Sequence, residues 1–533
     1  MAFNLADFIE HTVDAVPDRA ALVCEDRRLT YAELEDRANR LAHHLAARGI
    51  GERDHVAIYS YNSLEYVEAM LAAYKLRAVP INVNYRYVAD ELTYILDNSD
   101  AKALVFQAQF SPLVAEVAPK LPVLDHLLVV DDGTGTEPPV GAVDYEEALA
   151  ARSPERDFEP RSDDDIYILY TGGTTGYPKG VVWRHEDVWR VLGGGIDFMT
   201  GERIEDEYQM SEQAAEAEPS VGLVLAPLMH GAAQWGTLGG LIRGMTSVLL
   251  THFDADDVWK AVETHGIGGI AITGDAMAIP LLDALEEGDY DVGSLVSFSS
   301  TAAVFSPTVK DRLFELLPNV FVTEAVGSTE GGFNGIRLIE KGKTRPDNGG
   351  LINVDMGPDT LVIDDDGNPV SPGETGKLAR GGNVPIEYYK DPEKSAETFI
   401  TVDGKRYSVP GDFARLETDG TMTLLGRGSQ SINSGGEKIF PEEVEGALKA
   451  HPRVFDALVI GLPDERWGQK VAAVVEPRPG ESPTLDELDE HCRTKIAGYK
   501  VPRELFLVDA MPRHPSGKPD YRRARAVAEG AGT

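Results

Sequence analysis

Apolar positions along this chain follow two spacings. From Leu5 to Val16 they recur at helical period. Ala20–Cys24, His55–Tyr59, Val79–Val83 and Ala103–Phe106 are instead short apolar runs that read as strands. Asp26–Thr30 folds back on the first of them as a hairpin. Thr30-Tyr31-Ala32-Glu33 is a capping-box pattern ahead of an amphipathic run to Arg48, and Ser63 to Leu76 is again helical. Strands alternating with helices predict an α/β domain with a mainly parallel sheet. The alternation resumes with strands at Gly269–Thr273 and Leu295–Ser299 around a helix from Ala276 to Leu285. Near the C-terminus, Pro441 and the acidic residues after it start a helix, and Phe455–Ile460 and Val471–Val475 are strands of a small α+β domain.

Three segments break the rhythm. Asp131 to Asp164, rich in Gly, Pro, Asp and Glu, reads as a surface connection. Asp187 to Phe198 reads as a helix. Glu202 to Pro219 is acidic and poor in apolar residues, so an exposed loop or insertion is expected.

Composition narrows the classes. With 533 residues the chain is long enough for more than one domain, and 50 Lys plus Arg against 88 Asp plus Glu leave a net charge of -38. Such a chain offers no broad basic face for nucleic acid, and anionic substrates need local basic pockets. Its two cysteines, Cys24 and Cys492, lie far apart and suit a reducing cytoplasm. Met1 to Asp7 lacks a basic region before an apolar one, so no signal peptide is expected. The most apolar segment, Val221 to Leu250, is interrupted by His230, Gln234 and Arg243 and reads as core, not as a membrane span. Peripheral membrane contact and a homodimer stay open. His43 and His44 read as surface or packing residues.

The chemistry concentrates in Tyr170-Thr171-Gly172-Gly173-Thr174-Thr175-Gly176-Tyr177-Pro178-Lys179-Gly180, which reads as a loop between β-like Ile166–Leu169 and Val181–Trp183. Its glycines permit close backbone approach, its threonines supply hydroxyl donors, and Lys179 supplies a positive charge. This suits a polyphosphate cradle, although a flexible Gly/Thr loop has the same composition. It is not the P-loop of nucleotide triphosphatases. The one Gly-Lys-Thr, Gly342-Lys343-Thr344, has Arg337 where that motif needs its first glycine.

The stretch resembles the Tyr-Thr-Ser-Gly-Thr-Thr-Gly-x-Pro-Lys-Gly signature of the adenylate-forming enzymes, which include acyl-CoA synthetases, peptide-synthetase adenylation domains and beetle luciferases. It departs only at Gly172. Pro227-Leu228-Met229-His230 is similar to the family's Pro-Leu-x-His, which implies a place for His230 beside the acyl pocket. A lone histidine after an apolar strand would otherwise be a core residue. Gln234 and Trp235 follow within a turn and could line the same pocket. Ser300 to Ser306 stands where the family has Ser-Gly-Gly-Ala-Pro-Leu-Ser; Ala302 and Ala303 keep small side chains suited to an adenine ring, and Thr301, with Gly327, is expected at the substrate pocket. Val326-Gly327-Ser328-Thr329-Glu330 resembles Tyr-Gly-x-Thr-Glu, with Val326 in the place of the stacking aromatic. The resemblance implies that Thr329 contacts the α-phosphate and Glu330 helps hold Mg²⁺. It likewise implies that Asp412 and Arg427, from Gly411-Asp412 and Gly426-Arg427, contact the ribose. Ser429 would be the hinge, Gly435 and Gly436 would border the pantetheine channel, and Lys518 would neutralise carboxylate and α-phosphate together.

These matches run in the family's order from about Leu29 to Lys518. They imply a large α/β domain at 1–428, with mainly parallel sheets, helices and a small β-rich part. A small mobile α+β domain at 429–533 would carry the catalytic lysine. They imply a reaction of a carboxylic acid with ATP to acyl-adenylate and pyrophosphate, then thioester formation with coenzyme A and release of AMP. Two other readings stand beside the coenzyme A ligase: an enzyme loading a separate acyl carrier protein, and a non-catalytic binding protein. Gly172, Ala302-Ala303 and Val326 look most like actinobacterial fatty-acyl and steroid-side-chain coenzyme A ligases. Val224–Gly240 holds no Asp or Glu to take an amino-acid ammonium, which favours a bulky apolar acid.

Overall fold

The Thr30 capping box forms as its sequence predicts. Thr30 N–H donates to the Glu33 carboxylate at 2.8 Å, and Glu33 N–H donates back to Thr30 Oγ1 at 3.2 Å. The helix it opens, Tyr31–Ala46, buries Tyr31, Leu34, Ala38, Leu41 and Leu45, one apolar stripe at helical spacing. The computed structural model describes residues 3–171, 177–197, 201–301, 303, 305–342, 351–434, 437–464, 467–513 and 519–530. The chain divides into two compact units, one of Met1–Ala271, Asp291–Leu295 and Gly382–Thr401, the other of Ile272–Tyr290, Val296–Gly381 and Val402–Thr533. None of the described helices is long and apolar enough to cross a membrane.

In the first unit a parallel sheet runs in the order Val79–Asn82, His55–Tyr59, Ala101–Gln107, His126–Val130, Val143–Asp144. A second set pairs Ala20–Cys24 in parallel with Thr246–Leu249, then Val221–Val224 and Gly269–Ile272, with Arg27–Thr30 antiparallel at the edge. A third, antiparallel sheet joins Ile166–Thr171, Lys179–Arg184 and Glu387–Tyr388. The alternating pattern thus yields the expected mainly parallel α/β architecture.

The second unit begins with the parallel pair Ser297–Thr301 and Phe321–Ser328, then turns antiparallel through Gly332–Ile339 and Asn353–Met356 into a β-rich part. Its C-terminal segment is the expected small α+β arrangement. Val454–Asp464 pairs antiparallel with Gly468–Pro477, Glu504–Leu507 lies parallel to the latter, and helices Pro441–Lys449, Leu485–Arg493 and Tyr521–Ala528 accompany them.

The three irregular segments depart from expectation. Residues 202–219 are not simply an exposed loop, because Gln209–Glu216 is a helix that buries Met210, Ser211 and Ala214. Arg19 supplies what the local sequence lacks by donating to the Ala214 and Ala217 carbonyls at 3.1 Å each, which satisfies the helix's C-terminal end. The helix expected over 187–198 stops early. His185–Val188 passes into a wide turn, Trp189–Gly193, and Gly194 takes φ +91°. The Trp189 ring leaves no room for a side chain at Gly193 or Gly195.

The connection 131–164 is likewise more than surface. Tyr145–Ala150 is helical, and buried Tyr145 donates to Glu68 at 2.7 Å. Arg156 and Arg161 then reach the buried carboxylates Glu35 and Glu10, which also hold the buried ammonium of Lys75. Paired charges of this kind lie down on the core because each would be costly alone.

Candidate active site

The predicted phosphate loop is bounded by two facing residues. Thr171 ends one strand, Lys179 begins the next, and the two are register partners. Lys179 therefore belongs to the strand, which fixes its backbone; Gly172, Gly173, Thr174, Thr175 and Gly176 lie outside the described residues. The Lys179 ammonium donates to Asp391 at 2.5 Å and lies 5.7 Å from the Tyr388 ring centroid. That bond holds the Asp391 carboxyl below its usual range. Asp391 also caps the helix Pro392–Thr398 by accepting from Lys394 N–H at 3.0 Å. Nearby Gly180 is fixed by packing, since a Cβ there would meet the Tyr170 ring at 2.8 Å.

Two buried asparagines fasten the His230 segment, and one of them, Asn82, ties it to this hairpin. Asn82 accepts from Tyr170 N–H at 2.8 Å and donates to the carbonyls of Tyr170 at 2.9 Å and Met229 at 2.8 Å. Asn62 accepts from Leu228 N–H at 2.7 Å and donates to the Leu250 carbonyl at 3.1 Å. His230 stands at the N-cap of the helix Gly231–Ile242, whose first turns carry Gln234 and Trp235. Gln234 is buried and accepts from the Tyr167 hydroxyl at 2.8 Å, while its amide donates to Tyr66 at 3.5 Å. Trp235 packs edge-on against Tyr167 at 5.5 Å and is itself buried in the core. The first unit thus gathers Thr171, Lys179, His230, Gln234 and Trp235 around one pair of strands.

The second unit places Thr301, Ala303 and Val326 to Glu330 at and just beyond the C-terminal ends of its parallel pair, where open α/β sheets place ligands, and Asp412, Arg427 and Ser429 on and after an antiparallel pair. Thr301 Oγ1 donates to the Ala325 carbonyl at 3.2 Å, and Ala303 N–H to the Thr301 carbonyl at 2.9 Å. Val326 turns its side chain into a core with Val354, Leu378 and Met422, so its backbone is what it offers a ligand. The ladder shifts register between Val326 and Gly327. A Cβ on Gly327 would lie 2.9 Å from the Gly332 carbonyl oxygen, so glycine is required.

Ser328 and Gly332 then face each other, leaving Thr329, Glu330 and Gly331 as a tight hairpin turn. Ser328 Oγ accepts from Gly331 N–H at 2.9 Å, and Gly332 takes φ +64°. Glu330 presents a hard carboxylate on a braced turn, a donor that fits a divalent cation shared with phosphates. Asp412 and Arg427 are register partners across one antiparallel pair, and Gly428 N–H closes on the Gly411 carbonyl at 3.0 Å. Gly426 has no room for a side chain because the Glu442 carboxylate occupies that space. Ser429 lies in a single tight turn, Gly428–Gln430. Ala302, Gly435, Gly436 and Lys518 lie outside the described residues.

The motifs did not reveal Asn62, Asn82 or Ser408. Asp391 stands in Tyr388-Tyr389-Lys390-Asp391-Pro392, a run similar to the family's, but nothing local pairs it with Lys179.

Two family models match the chain: AMP-binding enzyme over residues 9–389, and AMP-binding enzyme C-terminal domain over 443–518. A 3-oxocholest-4-en-26-oate–CoA ligase of Rhodococcus rhodochrous is 55% identical, covering 98% of this chain and 96% of its own. A medium/long-chain-fatty-acid–CoA/3-oxocholest-4-en-26-oate–CoA ligase of Mycobacterium tuberculosis is 53% identical, over 99% and 97%. Among solved structures, an anthranilate CoA ligase bound to anthranoyl-AMP shares the fold at TM-score 0.84 and 24% identity, covering 98% of this chain and 97% of its own. ATP-bound MatB from Rhodopseudomonas palustris does so at TM-score 0.83 and 24% identity, over 99% of each chain.

Proposed function

The chain belongs to the AMP-binding enzyme family, and on that premise we propose that it joins a bulky apolar carboxylic acid to coenzyme A with ATP. The acid first becomes an acyl-adenylate with release of pyrophosphate; the thiol of coenzyme A then displaces AMP. The observation that carries the choice of acid is the His230 segment. From 224 to 240 it holds no Asp or Glu, and Leu228, Met229, Ala233 and Leu238 are buried there. The relatives named as fatty-acid and 3-oxocholest-4-en-26-oate ligases favour the same class, a medium-to-long fatty acid or a steroid side-chain acid.

The obstacle in the first step is an anionic carboxylate approaching an anionic phosphate, so catalysis rests on positioning and charge. Thr171 and Lys179 hold the β- and γ-phosphates, with Lys179 exchanging Asp391 for phosphate oxygen. Glu330 would hold Mg²⁺, which when bound neutralises polyphosphate charge. Thr329 contacts the α-phosphate, Asp412 and Arg427 the ribose, and Lys518 the reacting carboxylate and α-phosphate. His230, Gln234, Trp235, Thr301 and Gly327 shape the acyl side. Ser429 is the pivot between a domain at 1–428 and one at 429–533, and Gly435 and Gly436 border the pantetheine.

The test is kcat/KM for acetate, octanoate, palmitate, a cholestenoate-type acid and phenylalanine, read as pyrophosphate release and thioester. Each buried CH₂ contributes about 0.8 kcal/mol, so kcat/KM climbs with size until the pocket is full. Preference for acetate or phenylalanine over every large apolar acid overturns the choice of acid.

A further inference from the structure

The turn that carries Thr329 and Glu330 is held from outside at Glu330 itself and just past its C-terminal end, at Phe333. Arg380 and Ser408 are register partners at the ends of the antiparallel strands Thr375–Arg380 and Lys405–Ser408. Ser408, fully buried, donates through Oγ to the Glu330 carbonyl at 2.6 Å. Arg380, 2% exposed, donates through Nη1 to the Phe333 carbonyl. The two gripped carbonyls flank Gly331 and Gly332, which have no side chains with which to brace the turn themselves.

Arg380 is a costly way to make one hydrogen bond. Its Nε is buried with no hydrogen-bond partner, and no carboxylate among the described residues forms an ion pair with it. Burial lowers its pKa to about 10, against the opposing pull of Asp359, so the guanidinium stays charged near neutral pH. An arginine confined this way against a carbonyl destabilises the fold relative to an apolar residue unless the turn it grips repays it.

We propose that Arg380 and Ser408 are positioning residues for Glu330: together they fix the turn so that its carboxylate and the Thr329 hydroxyl meet the metal and the phosphates without rearranging. This rests on the reading of Glu330 given above. It predicts that loosening either grip weakens the engagement of metal-bound nucleotide and leaves coenzyme A alone.

The variants are Ser408→Ala, Arg380→Lys and, as a reference, Glu330→Gln. For each, calorimetry measures binding of a non-hydrolysable ATP analogue across a Mg²⁺ titration, kinetics measures KM for acid and for coenzyme A, and supplied acyl-adenylate isolates the thioester step. One lost hydrogen bond is worth roughly a threefold to tenfold change. Ser408→Ala and Arg380→Lys should raise the Mg²⁺ concentration for half-maximal nucleotide binding by roughly that factor. KM for coenzyme A and thioester formation from adenylate should stay within about twofold, the spread expected of a substitution that touches neither step. If Glu330→Gln shifts the Mg²⁺ titration while the other two do not, the positioning role is wrong and the role of Glu330 stands. If Glu330→Gln itself shifts nothing, the reading beneath it fails. Should Arg380→Lys not fold, Ser408→Ala decides alone. Equal losses in nucleotide binding, KM for coenzyme A and the thioester step would mark a purely structural brace and overturn the proposal.

Discussion

Asn82 grips both the N–H and the C=O of Tyr170, and it spends its remaining amide hydrogen on the carbonyl of Met229. One side chain therefore ties the strand that ends at Thr171 to the residue before His230. Asn82→Asp loses both donated bonds and sets a carboxylate against two carbonyls. Each buried group left without its bond costs about 1–3 kcal/mol. KM should rise for ATP and for the acid together, on the order of tenfold each for about 1.4 kcal/mol lost at each end. Steady-state kinetics on folded protein, with Tm measured alongside, checks this. A lowered Tm with both KM values unchanged would reduce Asn82 to a structural clamp.

Lys179 and Asp391 form a pair in which both side chains are about a third exposed. Such pairs contribute about 0–1 kcal/mol, so phosphate can displace Asp391 cheaply. Asp391→Asn should leave stability within about 1 kcal/mol and lower KM for ATP about two- to fivefold, because Lys179 no longer has a competitor. A rise in KM beyond tenfold would instead mean that Asp391 aims the ammonium.

Lys518→Ala should damage adenylation and spare the second step. Loss of a transition-state charge contact costs about 2.7–4 kcal/mol, on the order of 10²–10³ in rate. The measurement is pyrophosphate release against thioester formed from supplied acyl-adenylate. A comparable fall in both would remove Lys518 from the adenylation chemistry.

The buried pair His44 and His126 sets a pH dependence. Their Nε2 atoms lie 2.9 Å apart, so one ring donates, the other accepts, and both are neutral. Burial first, then neighbouring charges including Arg48, pulls each pKa down to about 4. In the unfolded chain each titrates near about 6.5. The unfolded state therefore takes up protons first, and stability that is full above pH 6.5 drains away as pH falls toward 4. Thermal melts from pH 7.5 to 4.5, steps of about half a unit, should show this loss in the wild type and a shallower one in His44→Gln/His126→Gln. Parallel curves would place the acid sensitivity elsewhere.

What the sequence revealed depended on how local the cause was. The Thr30 cap and the two strands that flank the glycine-rich stretch after Tyr170 are written in neighbouring residues, and both form as expected. Thr329 and Glu330 were legible as a motif, yet the grip on their turn was not. It comes from Arg380 and Ser408, about fifty and eighty positions away, through bonds to backbone carbonyls that any sequence possesses. The helix Gln209–Glu216 was illegible for the same reason, because Arg19 satisfies its end. Asn82 looked like one polar residue in an apolar strand; only the fold shows that its amide is fully used.

The fastening of Tyr145 to Glu68 decides where this chain tolerates being cut. Gly133 to Gly141 is mostly exposed, with Val140 wholly so, whereas the helix that starts at Tyr145 is anchored in the core. A protease that samples the native state should nick the first stretch and pass over the second. A cut placed four or more residues later, inside Tyr145–Ala150, would strip Glu68 of its hydroxyl partner and unmoor the arginines that follow.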